Sequence, residues 1–151
     1  MSKYFTVRVY GIYINQENQL LISDEYMFGK YLTKFPGGGL EFGEGIHDCL
    51  KREWIEELDT KIEIKEHFYT NDFFIVSVFN PDAQVISMYY FVNIIEQLNI
   101  LTSEKLFDFQ ELKDGAQSFR FVDLKYLDTN QITLPIDRKV CELLIKRYNN
   151  P

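Results

Sequence analysis

The chain has 151 residues, 46% hydrophobic and 16% aromatic, which is enough to bury one sizeable core. Its formal charge of −7, with no basic tract to offset it, argues against nonspecific binding to a nucleic-acid backbone. No apolar run approaches the roughly 18 residues of a membrane span, Met1-Ser2-Lys3 opens no signal segment, and Cys49 and Cys141 have no metal or redox spacing. The expectation is one soluble, cytoplasmic domain over residues 1–151, with reduced thiols and neither nucleic acid nor membrane as partner.

In chain order, residues 4–14 and 19–23 read as strands, joined as a hairpin by the polar turn Asn15-Gln16-Glu17-Asn18. Lys30 and Lys34 precede a glycine loop, Gly37-Gly38-Gly39. Gly43 and Gly45 then lead into a run free of glycine and proline, which predicts a helix over residues 45–59. Segments 61–72, 73–79 and 84–95 are rich in β-branched and aromatic residues and predict strands, with Asn80-Pro81-Asp82 as a turn. A short strand follows at 119–123. A closing helix at 137–148 places Val140, Leu143, Leu144 and Arg147 at helical spacing. This order predicts an α/β fold, with a mixed sheet flanked by helices. No repeat, linker or low-complexity segment interrupts it.

The chemistry concentrates in the first predicted helix. Glu53, Glu56 and Glu57 stand at i, i+3 and i+4, so their carboxylates share a face, while Leu50, Trp54 and Leu58 form an apolar stripe beside them. Like charges on adjacent turns repel unless a positive charge sits among them. Oxygen ligands suit Mg2+ or Mn2+, and no Cys/His cluster suggests zinc. Magnesium is commonly completed by phosphate oxygens, so this face points to phosphate chemistry. The glycines ahead of it let backbone approach helix, metal or ligand closely, and a loop carbonyl could serve as a further oxygen ligand.

Gly38, five residues, Glu44, seven residues, Arg52-Glu53-Trp54, one residue, Glu56-Glu57 resembles the signature box of the Nudix (MutT-like) hydrolases. The resemblance implies an α/β/α sandwich with a mixed sheet. It implies that Glu53, Glu56 and Glu57 bind divalent metal, with the Gly38 carbonyl helping, and that Arg52 orients the acids while Glu44 supports them from the loop. A further acid from a later loop serves as base or ligand in the family; Glu111 is the first candidate, Asp114 the second and Glu104 the third. The chain departs from the usual pattern in Asp59-Thr60, where glycine and an aliphatic residue normally follow the paired glutamates, and in Trp54, where a smaller residue is usual. Asp59 at a left-handed helix end touches termination more than chemistry.

The implied reaction is hydrolysis of a pyrophosphate linkage in a nucleoside diphosphate derivative or a nucleoside triphosphate, with Mg2+ or Mn2+. Gly37, Gly38, Gly39 and Lys34 are candidates for contacting substrate, with Lys30 beside them. The family's proline hint for ADP-ribose and tyrosine hint for dinucleoside polyphosphates are absent, since Ile75, Val76 and Val78 occupy that region. Phe28, Tyr31, Phe73 and Phe74 offer rings for a base, although core packing is the commoner role for such residues. His47 and His67 lack partners that would mark either as catalytic. The alternative function is a sensor that binds a nucleotide metabolite without cleaving it. Segments 73–79 and 84–91 offer faces either for a homodimer or for the core.

Overall fold

The computed structural model describes residues 2–149. Two compact units emerge, one formed by the chain up to Tyr13 with Pro36–Ile100, the other by Ile14–Phe35 with the chain from Leu101 onward. The mixed α/β architecture expected from the sequence is present as two sheets and two helices.

The first unit holds a four-stranded sheet ordered β4-β1-β6-β5, built from β1 (Tyr4–Ile12), β4 (Gly37–Gly39), β5 (Ile62–Thr70) and β6 (Ala83–Ile94). β1 runs parallel to β6 and antiparallel to β4, and β5 runs antiparallel to β6, so the sheet is mixed. Helix α1 (Ile46–Leu58) packs on β4 and β1. Its stripe behaves as the spacing requires: Cys49, Leu50, Trp54 and Leu58 are fully buried. Trp54 needs unusual room, and Gly11 supplies it, because a Cβ at Gly11 would stand 2.7 Å from the indole Nε1.

Both ends of α1 are secured locally. Gly45 is the N-cap, and its N–H donates to Asp48 Oδ2 at 3.2 Å. At the other end Asp59 takes the left-handed conformation, φ 48 and ψ 36, as its position after Leu58 predicted. Its N–H donates to the Ile55 carbonyl at 3.0 Å, the single bond of an αL closure, and that of Thr60 to the Trp54 carbonyl at 3.4 Å. Asn99 reinforces the joint, its N–H donating to Thr60 Oγ1 at 3.1 Å and its side-chain amide to the Asp59 carbonyl at 2.8 Å. A left-handed residue with a Cβ is disfavoured by roughly 1–2 kcal/mol, less for aspartate. Asp59→Gly is therefore expected to stabilise the protein by about 1 kcal/mol, raising Tm by about 2–4 °C for a chain of this size. A thermal melt that moves downward would contradict this account of the helix end.

The second unit has an antiparallel sheet ordered β3-β2-β7, from β2 (Gln19–Met27), β3 (Lys30–Lys34) and β7 (Ala116–Asp123). A short 3-10 turn, Thr129–Gln131, leads toward α2 (Pro135–Asn149), whose Ile136, Val140, Cys141 and Leu144 are buried. A buried ion pair ties this unit together. Arg120 donates through Nε to Asp24 Oδ2, and through Nη2 to Oδ1 at 3.0 Å. Asp24 also accepts from Thr33 Oγ1 at 2.7 Å and from the Phe107 N–H at 3.1 Å. With every lone-pair region of the carboxylate engaged, the burial of both charges is compensated.

Three expectations need correction. The turn at Asn15–Asn18 forms, with Asn15 Oδ1 accepting the N–H groups of Glu17 and Gln19, but only Ile14 and Leu20 bridge across it. β1 and β2 enter different sheets, so no long hairpin exists. Segment 73–79 is not a strand. Only Val76 bridges to Gln84, while the Asn71 amide donates to the Phe73 and Val85 carbonyls and accepts from the Ser87 N–H, taking the ladder bonds a strand would have used. Finally, Gly37–Gly39 is a strand, not a loop, paired with Arg8, Val9 and Tyr10.

Candidate active site

The box residues assemble within the first unit because β4 delivers the glycines to the side of α1 that carries the acids. Gly38 lies opposite Val9 in the ladder, and a Cβ on it would stand 2.5–2.6 Å from the Glu53 carboxylate atoms. That carboxylate thus occupies space which any side chain at 38 would fill. Gly37, at φ +149, is tighter still, since a Cβ there would meet the Val9 carbonyl at 2.1 Å.

Arg52 gathers the acids. Its Nε and Nη2 donate to the two oxygens of Glu44 at 2.9 and 2.7 Å, a bidentate pair. Nη1 donates to Glu53 at 3.0 Å and to Glu56 at 3.2 Å, and Nη2 also reaches the Gly39 carbonyl at 3.0 Å. Glu41 lies 3.8 Å from Nη1, and its N–H donates to Glu44 at 2.9 Å. The hydrogen bonds from Arg52, then that from the Glu41 N–H, lower the Glu44 pKa to about 2. The same carboxylates, Glu44 foremost, push the guanidinium further up. Cys49 sits beneath the joint with its thiol 3.5 Å from the Gly39 carbonyl and 3.9 Å from that of Gly38, and burial raises its pKa to about 12.

Glu44, Arg52, Glu53 and Glu56 are therefore brought together with Gly38 and Gly39, and Glu57 follows on the same helix, half-buried. Among the described residues, no group of three or more His, Cys, Asp or Glu side chains converges as a metal-binding cluster. The donor chemistry nonetheless fits a hard divalent cation, being carboxylate and carbonyl oxygen only, with a glycine cradle that places Glu53 against the backbone of β4.

The other candidates belong to the second unit. Glu111 is exposed with Lys113 Nζ at 3.7 Å, Asp114 accepts from the Phe28 N–H at 3.0 Å, and Glu104 is exposed. Lys34 is no exposed loop lysine: it is buried in β3, paired with Glu25 at 2.9 Å and donating to the Phe35 carbonyl at 3.3 Å. Lys30 is exposed. Phe28, Tyr31, Phe73 and Phe74 are exposed as well, which corrects the expectation that such rings fill the core. In the first unit His47 and His67 stand edge-on to the Tyr90 ring, with centroids 5.1 and 5.3 Å away. Cys49 was not among the sequence candidates, and for Glu41 the sequence leaves a functional and a solvated role evenly weighed. Glu41 was open to suspicion from its place between glycine loop and box glutamate, whereas nothing in the spacing marks Cys49.

The sequence matches the NUDIX domain over residues 5–136. The chain belongs to the Nudix family. It is accordingly a hydrolase of the class acting on phosphoanhydride bonds. Its fold is similar to the solution structure of the Escherichia coli ORF135 protein, with TM-score 0.72 and 16% identity over 99% of this chain and 95% of that one. It is also similar to the MutT protein of Methanosarcina mazei Go1, with TM-score 0.67 and 16% identity over 100% and 99%. A NUDIX hydrolase of Nitrosomonas europaea gives TM-score 0.67 and 17% identity over 99% and 76%. No curated protein sequence matches the chain. Among the described residues, no helix is long and apolar enough to cross a membrane.

Proposed function

We propose that residues 1–151 act as one Nudix hydrolase domain that cleaves a diphosphate linkage in a nucleoside diphosphate derivative or a nucleoside triphosphate, with Mg2+ or Mn2+. The observation that carries this reading is Arg52 holding Glu44, Glu53 and Glu56 at 2.7–3.2 Å beside the Gly38 cradle. Glu53, Glu56 and Glu57, with the Gly38 carbonyl, are the residues that would hold the cation. Bound there, it would neutralise the diphosphate and lower the pKa of an attacking water. Glu44 and Arg52 keep the acids oriented. A carboxylate, one of the three or Glu111, accepts the proton from water. Lys34 is retained as a substrate candidate only if its pair with Glu25 opens. The acidic charge and buried thiols suit a cytoplasmic protein without nucleic-acid partners, and a homodimer is the proposed assembly.

The test is hydrolysis of nucleoside triphosphates, ADP-ribose, nucleotide sugars, NADH, flavin and dinucleoside polyphosphates with Mg2+ or Mn2+, for wild type and Glu57→Gln. Cleavage at a diphosphate, requiring metal and reduced about 100-fold or more in the variant, is expected, since a metal site contributes several kcal/mol. Binding without turnover across the panel would identify a sensor instead.

A further inference from the structure

Segment 73–79 runs along the start of β6 without completing a strand. The Ile75 carbonyl accepts from the Val85 N–H at 2.9 Å and the Ser77 N–H donates to the Ala83 carbonyl at 2.9 Å, so these two residues face β6. Val76, bridged to Gln84 between them, turns its own N–H and carbonyl the other way, and among the described residues neither has a hydrogen-bond partner. An outward pair of this kind is a template for another strand.

The surface at this edge is apolar. Phe74 and Val76 join Tyr4, Phe5 and Pro81 around an open groove of about 270 Å³, with Phe5 68% and Phe74 69% exposed. Asn80 closes on it by donating to the Tyr4 hydroxyl at 2.7 Å. Tyr4, Phe5, Phe73, Phe74, Val78 and Phe79 are all exposed. At about 200 Å² for a ring, they leave roughly 500–600 Å² of apolar surface in water, the upper end for a monomer's largest patch and most of the roughly 800 Å² that each partner gives to a standard interface.

Two features fit a second copy of this chain. Residues 73–79, Phe-Phe-Ile-Val-Ser-Val-Phe, repeat their apolar pattern on either side of Val76, where Phe73 mirrors Phe79 and Phe74 mirrors Val78. A two-fold axis demands such symmetry, since residue i meets j while j meets i. Charge is the other. The chain carries −7, yet residues 73–81 hold no charge, and the groove's Lys3 and Asp82 pair with each other at 3.0 Å. Two copies meet here without the repulsion that contact between acidic surfaces would bring.

We propose that a second copy docks on this edge, with Val76 on the two-fold axis. The two Val76 residues exchange N–H···O=C bonds in antiparallel register, which sets Phe74 opposite Val78 of the second copy and Phe73 opposite Phe79. This rests on the homodimer reading and gives it a surface. Phe5 stands four residues before Val9, the partner of Gly38. That is about 13 Å along β1, so the contact lies away from the end of the strand that carries the acidic cluster.

The experiment is sedimentation velocity on the full chain, comparing wild type with Val76→Pro, Phe74→Glu and, as control, Tyr126→Glu, which alters an exposed ring of the second unit. Wild type and Tyr126→Glu are expected at twice 18.0 kDa. Val76→Pro removes an N–H that faces away from β6, and Phe74→Glu sets a charge in the patch; each should raise the dimer Kd about 30-fold or more, with an unchanged circular dichroism spectrum. Val76→Cys, under a mild oxidant, should cross-link to its own copy, because residues paired at the axis have Cα atoms about 5.5 Å apart, within disulfide reach. A monomeric wild type overturns this proposal together with the homodimer reading. A dimer indifferent to Val76→Pro and Phe74→Glu, and not cross-linked through Val76→Cys, overturns the surface alone, as does a dimer that Tyr126→Glu dissolves equally well. Neither result bears on hydrolysis, which the substrate panel decides separately.

Discussion

Gly38→Ala is expected to cut hydrolysis about 100-fold, the order of loss that follows a misplacement of about 1 Å at a reacting centre, while the protein stays folded. The added methyl would fall 2.5–2.6 Å from the Glu53 carboxyl carbon and oxygens, the free end of a flexible side chain. Glu53 yields by rotating away, which carries it off its 3.0 Å contact with Arg52 and away from the Gly38 carbonyl. Gly37→Ala provides the contrast. Its methyl would meet the Val9 carbonyl at 2.1 Å from a backbone held at φ +149, and neither can give way without breaking the β1–β4 ladder. One variant should lose kcat at nearly constant Tm, the other should lose Tm. Retention of wild-type kcat by Gly38→Ala would remove Glu53 from the chemistry.

Arg52→Gln should reduce turnover by a similar factor of about 100, because one substitution releases Glu44, Glu53 and Glu56 together. It should also leave a signature in the acid stability of the fold. Glu44 has a folded pKa of about 2 against an ordinary 4.5, so it contributes stability that is fully present above pH 4.5 and is lost as the pH falls toward 2. In the variant the chief cause of that depression is gone, leaving the Glu41 N–H and the Cys49 thiol, and Tm should fall less steeply across the same window. Melts from pH 7 to pH 2 on both proteins give the comparison. Parallel curves would mean that Arg52 does not hold Glu44 in solution.

The helix and its acids were legible because both follow from local spacing. The predicted helix over 45–59 and the observed Ile46–Leu58 differ only at the caps, and the left-handed Asp59 could be anticipated from the missing glycine. What spacing cannot carry is pairing between distant segments. The strand character of Gly37–Gly39 comes from Arg8, Val9 and Tyr10, some thirty residues earlier, and overrides glycine's poor strand propensity. β3 escaped notice because its turn, Phe28-Gly29, uses φ 49 at a phenylalanine where asparagine or glycine would have signalled it. Lys34 reads as a loop lysine until Glu25 and Ser23 appear across the β2–β3 ladder, with Glu25 accepting from both. Arg52 and Glu44, eight residues apart, could be linked by the box pattern alone, but the bidentate geometry, the shared contacts with Glu53 and Glu56, and the depressed pKa of Glu44 required the fold.

Trp54 is the chain's single tryptophan, fully buried, adjacent in sequence to Glu53 and pressed against Gly11. The protein thereby contains an intrinsic optical probe at the seat of α1, the helix that carries the acidic cluster. Its emission should be blue and poorly quenched by iodide while α1 rests on β1, with a red shift marking departure of that helix, so one fluorescence trace can separate loss of chemistry from loss of the scaffold beneath it.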